Sequence, residues 1–397
     1  MANKERDTAI VGIYEYPLRK VEGLSPLQIK AECAVRALED AGLTWRDVDA
    51  LYDAGDGGMM AGLGMAEYFN LRPNVIDTTM VGGSSYELHA AHAKQAIASR
   101  KARVALLTYG STARSQAWAI GTGSRASRGP ASPLGNMENP WGMTLVSNYA
   151  MVARRHMHQY GTTSEQLAEI AVATRAHAMR NAEAVRAMND LGFRDIGETT
   201  VEDVLNSRMI ADPLHLLDCC MISDGGGAVV IAAADAARDC RQVPVWILGA
   251  GEATKHVEND GDITVTAAAQ SAPAAFGEAG VKPTEIDIVM VYDSFTITVL
   301  AILEDLGFCK KGEGGSFVEH GRLRFDAEAR PALNTDGGGL SSNHPGMRGI
   351  FLLIEAARQL RGESCSQVAG ARLAVAHGNG GALGTRHVAG TVVLGAE

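Results

Sequence analysis

His344 precedes a proline inside the glycine-rich run GGGLSSNHPGMRG (Gly337–Gly349), an odd setting for a core residue. An imidazole there can move protons at a reacting centre. His377 opens a second such run, HGNGGALG (His377–Gly384), and Tyr292 ends an apolar stretch in VYDSFT. A fourth site of interest is Gly82-Gly83-Ser84-Ser85, just ahead of an alanine-rich helical segment. A helix N-terminus lowers the pKa of a thiol and would suit a cysteine nucleophile. None of Cys33, Cys219, Cys220, Cys240, Cys309 and Cys365 lies near it, and none forms a Cys-x-x-Cys pair. Ser84 or Ser85 could act as a nucleophile only with an adjacent base, and both read more simply as helix N-caps. His89 and His92 are three apart on that helix, a spacing that suits a metal, but no carboxylate or third ligand is in view. No metal site is expected. His156 and His158, beside Arg154 and Arg155, read either as a CoA-phosphate contact or as a solvated basic face.

The elements that would position these groups alternate. Thr8–Ile13, Val48–Tyr52, Val104–Tyr109 and Ala228–Ala232 read as strands, and Ser25–Ala41 and Ser84–Ser99 as helices. Ser25, Pro26 and Gly42 supply the N-cap, the first helical position and the stop of the first helix. A second series follows: Val245–Leu248, helix Ala267–Glu278, Ile286–Val291, helices Phe295–Leu306 and Ile350–Leu360, Arg372–Ala376 and His387–Leu394. AGLTWRDVDALY (Ala41–Tyr52) is echoed by AGVKPTEIDIVMVY (Ala279–Tyr292). Helix, Ala-Gly turn, Asp and apolar strand recur in that order, an internal duplication built from βαβ units.

Composition bounds the function. The 397 residues are 46% hydrophobic and 21% charged, enough for a large core. A net charge of −10 excludes a nucleic-acid role, which needs a basic stripe. No apolar run approaches the roughly 20 residues of a membrane span. Free thiols and no visible leader make a cytoplasmic location the expectation. There is no Gly-x-Gly-x-x-Gly after the first strand and no Walker sequence, so a dinucleotide cofactor is not expected.

Four segments together resemble the thiolase superfamily over essentially the whole chain. They are TTMVGGSSYELHAAHAKQAIASRKARVALLTYG (Thr78–Gly110), MISDGGGAVVI (Met221–Ile231), the His344 loop and the His377 loop. The resemblance implies an α/β thiolase fold, with two related βαβαβ halves forming a five-layered α-β-α-β-α core and an inserted loop domain. The first half would take residues 1–110 and 214–240, the loop excursion 111–213 and the second half 241–397. It places the family's nucleophilic cysteine on or beside Gly83, its catalytic histidine on His344 and its second catalytic cysteine on His377.

VYDSFT narrows the likeness. A tyrosine there is similar to the thiolase-like lipid-transfer proteins, related to sterol carrier protein X thiolase, that act as acyl-CoA retro-aldolases. Tyr292, His344 and His377 would then be catalytic, although those aldolases usually carry a second tyrosine where His344 stands. Backbone at Gly83, Ser84, Gly380 and Gly381 would hold the oxyanion, with Asp293, Ser294, Asn343 and Met143 as weaker substrate contacts. The expected reaction is retro-aldol cleavage of a β-hydroxyacyl-CoA, of a steroid or similar side chain, to acetyl- or propionyl-CoA and a ketone or aldehyde. Acetyl-CoA acetyltransferase-like Claisen chemistry and a non-catalytic acyl-CoA carrier stand as alternatives. No cofactor is implied beyond the coenzyme A of the substrate. The implied partners are a second copy of the chain and a small OB-fold, zinc-ribbon protein.

Overall fold

A computed structural model describes residues 6–55, 60–117, 144–256 and 261–396. Its strands are β1 (Thr8–Glu15), β2 (Ala50–Asp53), β3 (Val75–Asp77), β4 (Val104–Ser111), β5 (Met209–Ala211), β6 (Leu214–His215), β7 (Gly225–Ala233), β8 (Val245–His256), β9 (Ile288–Val291), β10 (Ala332–Leu333), β11 (Leu373–Ala382) and β12 (Arg386–Gly395). The principal helices are α1 (Pro26–Ala41), α2 (Ala61–Tyr68), α3 (Ser85–Ala98), α4 (Leu145–Tyr160), α5 (Ser164–Ala178), α6 (Ala182–Asp190), α7 (Ala268–Ala279), α8 (Thr296–Asp305), α9 (Gly338–Ser341) and α10 (Gly349–Arg361).

Ten strands form one sheet in the order β10-β9-β11-β12-β8-β1-β7-β4-β2-β3. Outward from the β1–β8 junction, both sides repeat one pattern: two antiparallel pairings, then two parallel ones. The junction itself consists of the pairs Ala9↔Trp246 and Ile10↔Val245.

The duplication extends to side chains. Gly42 and Gly280 stop α1 and α7 with φ of 75° and 67°, where a residue with a Cβ would be strained. Seven residues after each glycine an aspartate locks the next strand onto its neighbour. Asp49 accepts from the N–H groups of Arg103 and Val104, and Asp287 from those of Arg372 and Leu373, at 2.8–3.1 Å.

Three apolar clusters separate five layers. One lies between α1 and the first set of strands, and one between the second set and α7 with α8. The third holds α3 and α10 between the two sets. Both central helices are buried over most of their length, and α3 carries no strong apolar stripe. The strands β8 and β11 run longer than periodicity indicates, because their distal ends are glycine-rich and polar. The edge strand β3 has no sequence signature.

Close approach of α7 to β8 depends on Gly249. A Cβ there would lie 2.2 Å from the Ala275 carbonyl oxygen and 2.6 Å from the Ala279 nitrogen, both backbone atoms that cannot swing away. Gly249→Ala is therefore expected to destabilise the chain by about 1–3 kcal/mol in urea unfolding, as overpacked cores do.

Candidate active site

β9 ends at Val291, so Tyr292 is the first residue beyond the C-terminal end of a parallel strand, the usual place for sites in such sheets. Its N–H donates to the His377 carbonyl at 2.9 Å and its hydroxyl to the Gly346 carbonyl at 3.0 Å. The ring lies 5.3 Å from the His344 ring, edge to face at 82°. Both side chains are buried.

Gly83 closes the opposite wall. A Cβ on it would stand 2.1 Å from Tyr292 Cε2, 2.5 Å from Cζ and 2.4 Å from the Asn379 carbonyl oxygen. The phenol ring therefore fills the space that any side chain at position 83 would need. Gly82 (φ 78°) packs on Gly380, and a Cβ at Gly380 would fall 1.7 Å from the Val81 carbonyl oxygen. The two glycine loops thus meet backbone to backbone, an approach open only to glycine. Ser84 occupies the N-cap position of α3, but its hydroxyl donates to the Val388 carbonyl at 2.9 Å and makes no cap bond. Ser85 donates to the Gly82 carbonyl at 2.7 Å.

His344 is held by its backbone, leaving its ring free. Ser223 Oγ accepts from its N–H at 3.0 Å, Arg348 binds the preceding carbonyl of Asn343 at 3.1 Å, and Tyr109 binds the following one of Pro345. Neither ring nitrogen has a hydrogen-bond partner. Leaving such atoms dry costs about 1–3 kcal/mol each, which marks a group kept for something other than stability. Burial, with the nearby Arg348 charge, pushes the imidazole down to about 4. Burial holds the Tyr292 phenol well above its ordinary value, as does the proximity of Cys220. At neutral pH the pair is an uncharged imidazole beside an uncharged phenol.

His377 does not join them. Its register partner across β9 is Val291, which belongs to the outer cluster with α7 and α8, whereas Tyr292 belongs to the central one. Because β11 continues as a strand through Ala382, alternation turns the His377 ring to the outer face. There Nδ1 pairs with Thr391 Oγ1 at 2.8 Å, which in turn meets Ser271. The expected catalytic contact is replaced by a buried structural one.

Three residues expected to touch substrate are occupied internally. Asp293 accepts from the N–H groups of Gly339 at 2.7 Å and Leu340 at 3.2 Å and lies 3.3 Å from Arg348 Nε. Burial raises its carboxyl to about 6 despite that cation. Asn343 donates to Glu15 at 2.6 Å, and Ser294 Oγ pairs with Thr298 Oγ1 at 3.1 Å. All three position the loops. Met143 lies outside the described residues.

Other histidines differ from expectation through contacts distant in sequence. His92 meets two carboxylates, Asp77 at 2.6 Å and Glu252 at 3.0 Å, which with their hydrogen bonds raise it to about 10, the charged form of an ion pair. His89 is buried between Tyr52 and Tyr86. His156 is buried too, bonded to Thr162 and to Glu304 at 3.0 Å, so it lies on no solvated face.

Two neighbours escaped sequence reasoning. Tyr149 of α4 donates to the Gly381 carbonyl at 3.0 Å and accepts from Asn379 Nδ2 at 3.2 Å. No motif marks it, since its helix belongs to the excursion. Cys220 is buried beside Tyr292, where a thiolate would oppose ionisation of the phenol. Its own pKa is driven well above the ordinary value by burial, then by the charges of Cys219 and Asp293. A protonated thiol of that kind is a poor nucleophile.

Comparisons with known proteins bear on the family. Residues 249–396 match the thiolase C-terminal domain-like family. The chain is 35% identical over 394 residues to an acetyl-CoA acetyltransferase of Methanothermobacter thermautotrophicus, covering 96% of this chain and 98% of that one. It is 33% identical over 377 residues to a steroid side-chain-cleaving aldolase of Thermomonospora curvata, covering 90% and 91%. Among solved structures, one described as "Ltp2-ChsH2(DUF35) aldolase" superposes with a TM-score of 0.86 at 30% identity, covering 99% and 98% of the two chains.

The Gly83–Tyr292 contact generates a test. Gly83→Ala is expected to lose about 1–3 kcal/mol through overpacking, and Tyr292→Ala to recover part of that loss in the double variant. Additive melting shifts in the four-protein cycle would show that the ring does not occupy that space. On fold, motifs and relatives together, the chain belongs to the thiolase superfamily, in its thiolase-like branch.

Proposed function

We propose that the chain cleaves the Cα–Cβ bond of a β-hydroxyacyl-CoA by a retro-aldol reaction, releasing acetyl- or propionyl-CoA and a ketone or aldehyde. The observation that carries this reading is the Tyr292 ring in the space of a side chain at 83, which leaves no room for an acylated nucleophile. His344, uncharged and with both nitrogens free, takes the β-hydroxyl proton. As the C–C bond breaks, its electrons pass into the thioester and the β-carbon becomes a carbonyl. Backbone N–H groups of the Gly83–Ser84 turn and of the Gly380–Gly381 end of β11 stabilise the enolate oxygen. Tyr292 gives its proton to the enolate carbon and regains one from His344, so protons balance over the cycle. The steroid side-chain-cleaving relative supports a bulky, fused-ring acyl group.

Claisen-type acyl transfer is the second reading, supported by the acetyltransferase relative. The aldolase structure named with a DUF35 component supports a small partner protein. We place a homodimer in the same assembly. Among the described residues no helix is long and apolar enough to cross a membrane.

The test is to incubate purified chain, with and without a DUF35-type partner, with a β-hydroxyacyl-CoA whose β-carbon belongs to a steroid ring. Acetyl- or propionyl-CoA and the ketone should appear, with no acyl adduct on the intact protein. A covalent adduct and thioester exchange would favour acyl transfer. Tyr292→Phe and His344→Ala should each lower kcat by about 10²–10⁴, the usual worth of a general acid or base. Activity should also fall as pH drops through about 4, where His344 takes a proton and loses its free lone pair.

A further inference from the structure

One buried acid in the centre of the molecule has no part in that cycle. Glu87 lies in the first turn of α3, one turn beyond Gly83, and is 1% exposed. Neither carboxyl oxygen has a hydrogen-bond partner beyond its own backbone N–H. Three glycines from three other elements make room for it. A Cβ at Gly378 of β11 would lie 2.1 Å from Glu87 Oε2, one at Gly349 of α10 2.5 Å from Oε2, and one at Gly390 of β12 2.6 Å from its Cβ. The same point beside Gly349 is 2.5 Å from the Gly83 carbonyl oxygen. The carboxyl therefore sits where the first turns of α3 and α10 converge, directly beneath the wall that faces Tyr292.

A helix N-terminus carries a positive partial charge worth about half an elementary charge, and it favours an anion within the first turn. Two such ends converge here. A carboxylate at their meeting point would neutralise them, whereas an uncharged carboxyl leaves their field to whatever anion forms above. We propose that Glu87 is a positioning residue that is kept uncharged between the two helix starts, so that their combined field is spent on the thioester enolate. This rests on the retro-aldol reading.

The surroundings fit an uncharged side chain. β11, β12 and α10 each set a glycine against it among apolar neighbours, and the ionisable groups nearest on the packed elements are engaged elsewhere. His377 turns to Thr391, Arg348 to Asp293 and Asp336, and Glu355 to Thr335 and Ser364. On β8 and β4, Lys255 reaches carbonyls of Asp262 and Val265, Glu252 pairs with His92, and Tyr109 binds the Pro345 carbonyl. On the same helix His89 lies between tyrosines. Tyr292 and His344, across Gly83, are uncharged at neutral pH. Burial raises the Glu87 carboxyl to about 8.

Glu87→Gln in the full chain separates the possibilities, with the steroid-ring β-hydroxyacyl-CoA as probe. In the wild-type enzyme kcat/KM should fall about tenfold per pH unit above about 8, while KM for the thioester changes less than kcat. In the Gln variant the high-pH fall should vanish and neutral activity should be kept. Melting temperature gives a readout that needs no substrate. A carboxyl raised in the folded state stabilises fully below its unfolded pKa and loses that contribution as pH rises toward its folded pKa. The Gln variant should therefore gain on the wild type steadily between about pH 4.5 and 8. If Gln at 87 prevents folding, Glu87→Met carries the same comparison. Identical high-pH limbs in wild type and variant, or a melting gap constant with pH, would overturn the inference. Absence of cleavage by the wild type with the pH-dependent melting gap intact would instead overturn the retro-aldol reading.

Discussion

A single guanidinium holds the loops that carry Tyr292 and His344 in register. Arg348 is completely buried, and it reaches Asp336 at 2.5 Å, Asp293 at 3.3 Å and the Asn343 carbonyl at 3.1 Å. Asp293 follows Tyr292 in sequence, and Asn343 precedes His344. One cation thereby sets the spacing of the phenol and the imidazole through their immediate neighbours. Burial works against its charge, but Asp336 and Asp293 outweigh that and raise its pKa. Burying such a group is affordable only when every partner is in place, and removing one leaves a bare charge in the interior. Asn343 passes the constraint on to Glu15, which is also tied to Arg358, so β1 and α10 are joined to the same network.

The duplicated architecture explains why the two halves do different work. Tyr52 and Tyr292 both close the echoed sequence segment that follows an Ala-Gly turn. From the aspartate that locks each strand, Tyr52 is three residues on and Tyr292 five. Tyr52 remains inside β2, in the core beside His89, while the two extra residues carry Tyr292 past the end of β9 and into the site. The first half contributes glycine and a helix start to the candidate site; the second contributes the phenol and the imidazole.

Much of this was legible from residue order. Ser25, Pro26 and Gly42 bound α1 as read, the echoed segments lead into β2 and β9 at matching places in the sheet, and Tyr292 and His344 stand together. What periodicity could not show was the extent of β11. Its glycines read as a loop, but they are strand residues stripped of side chains so that α3 can approach, and that continuation turns His377 to the outer face. Contacts between distant segments were equally hidden. Asp77 and Glu252 reach His92 from 15 residues before and 160 after it, and nothing near His92 signals either. Asp293 and Asn343 looked available to substrate because the arginine that engages them lies on the far side of a turn.

The exclusion between residue 83 and the ring of residue 292 has a historical corollary. A side chain at 83 and the ring at 292 compete for one volume, supplied by opposite halves of a duplicated architecture. An ancestor that gained the tyrosine before losing its side chain at 83 would have been overfilled, and one that lost that side chain first would have been hollow. The route between the two fillings therefore runs through a paired exchange, and the two positions should vary together among descendants.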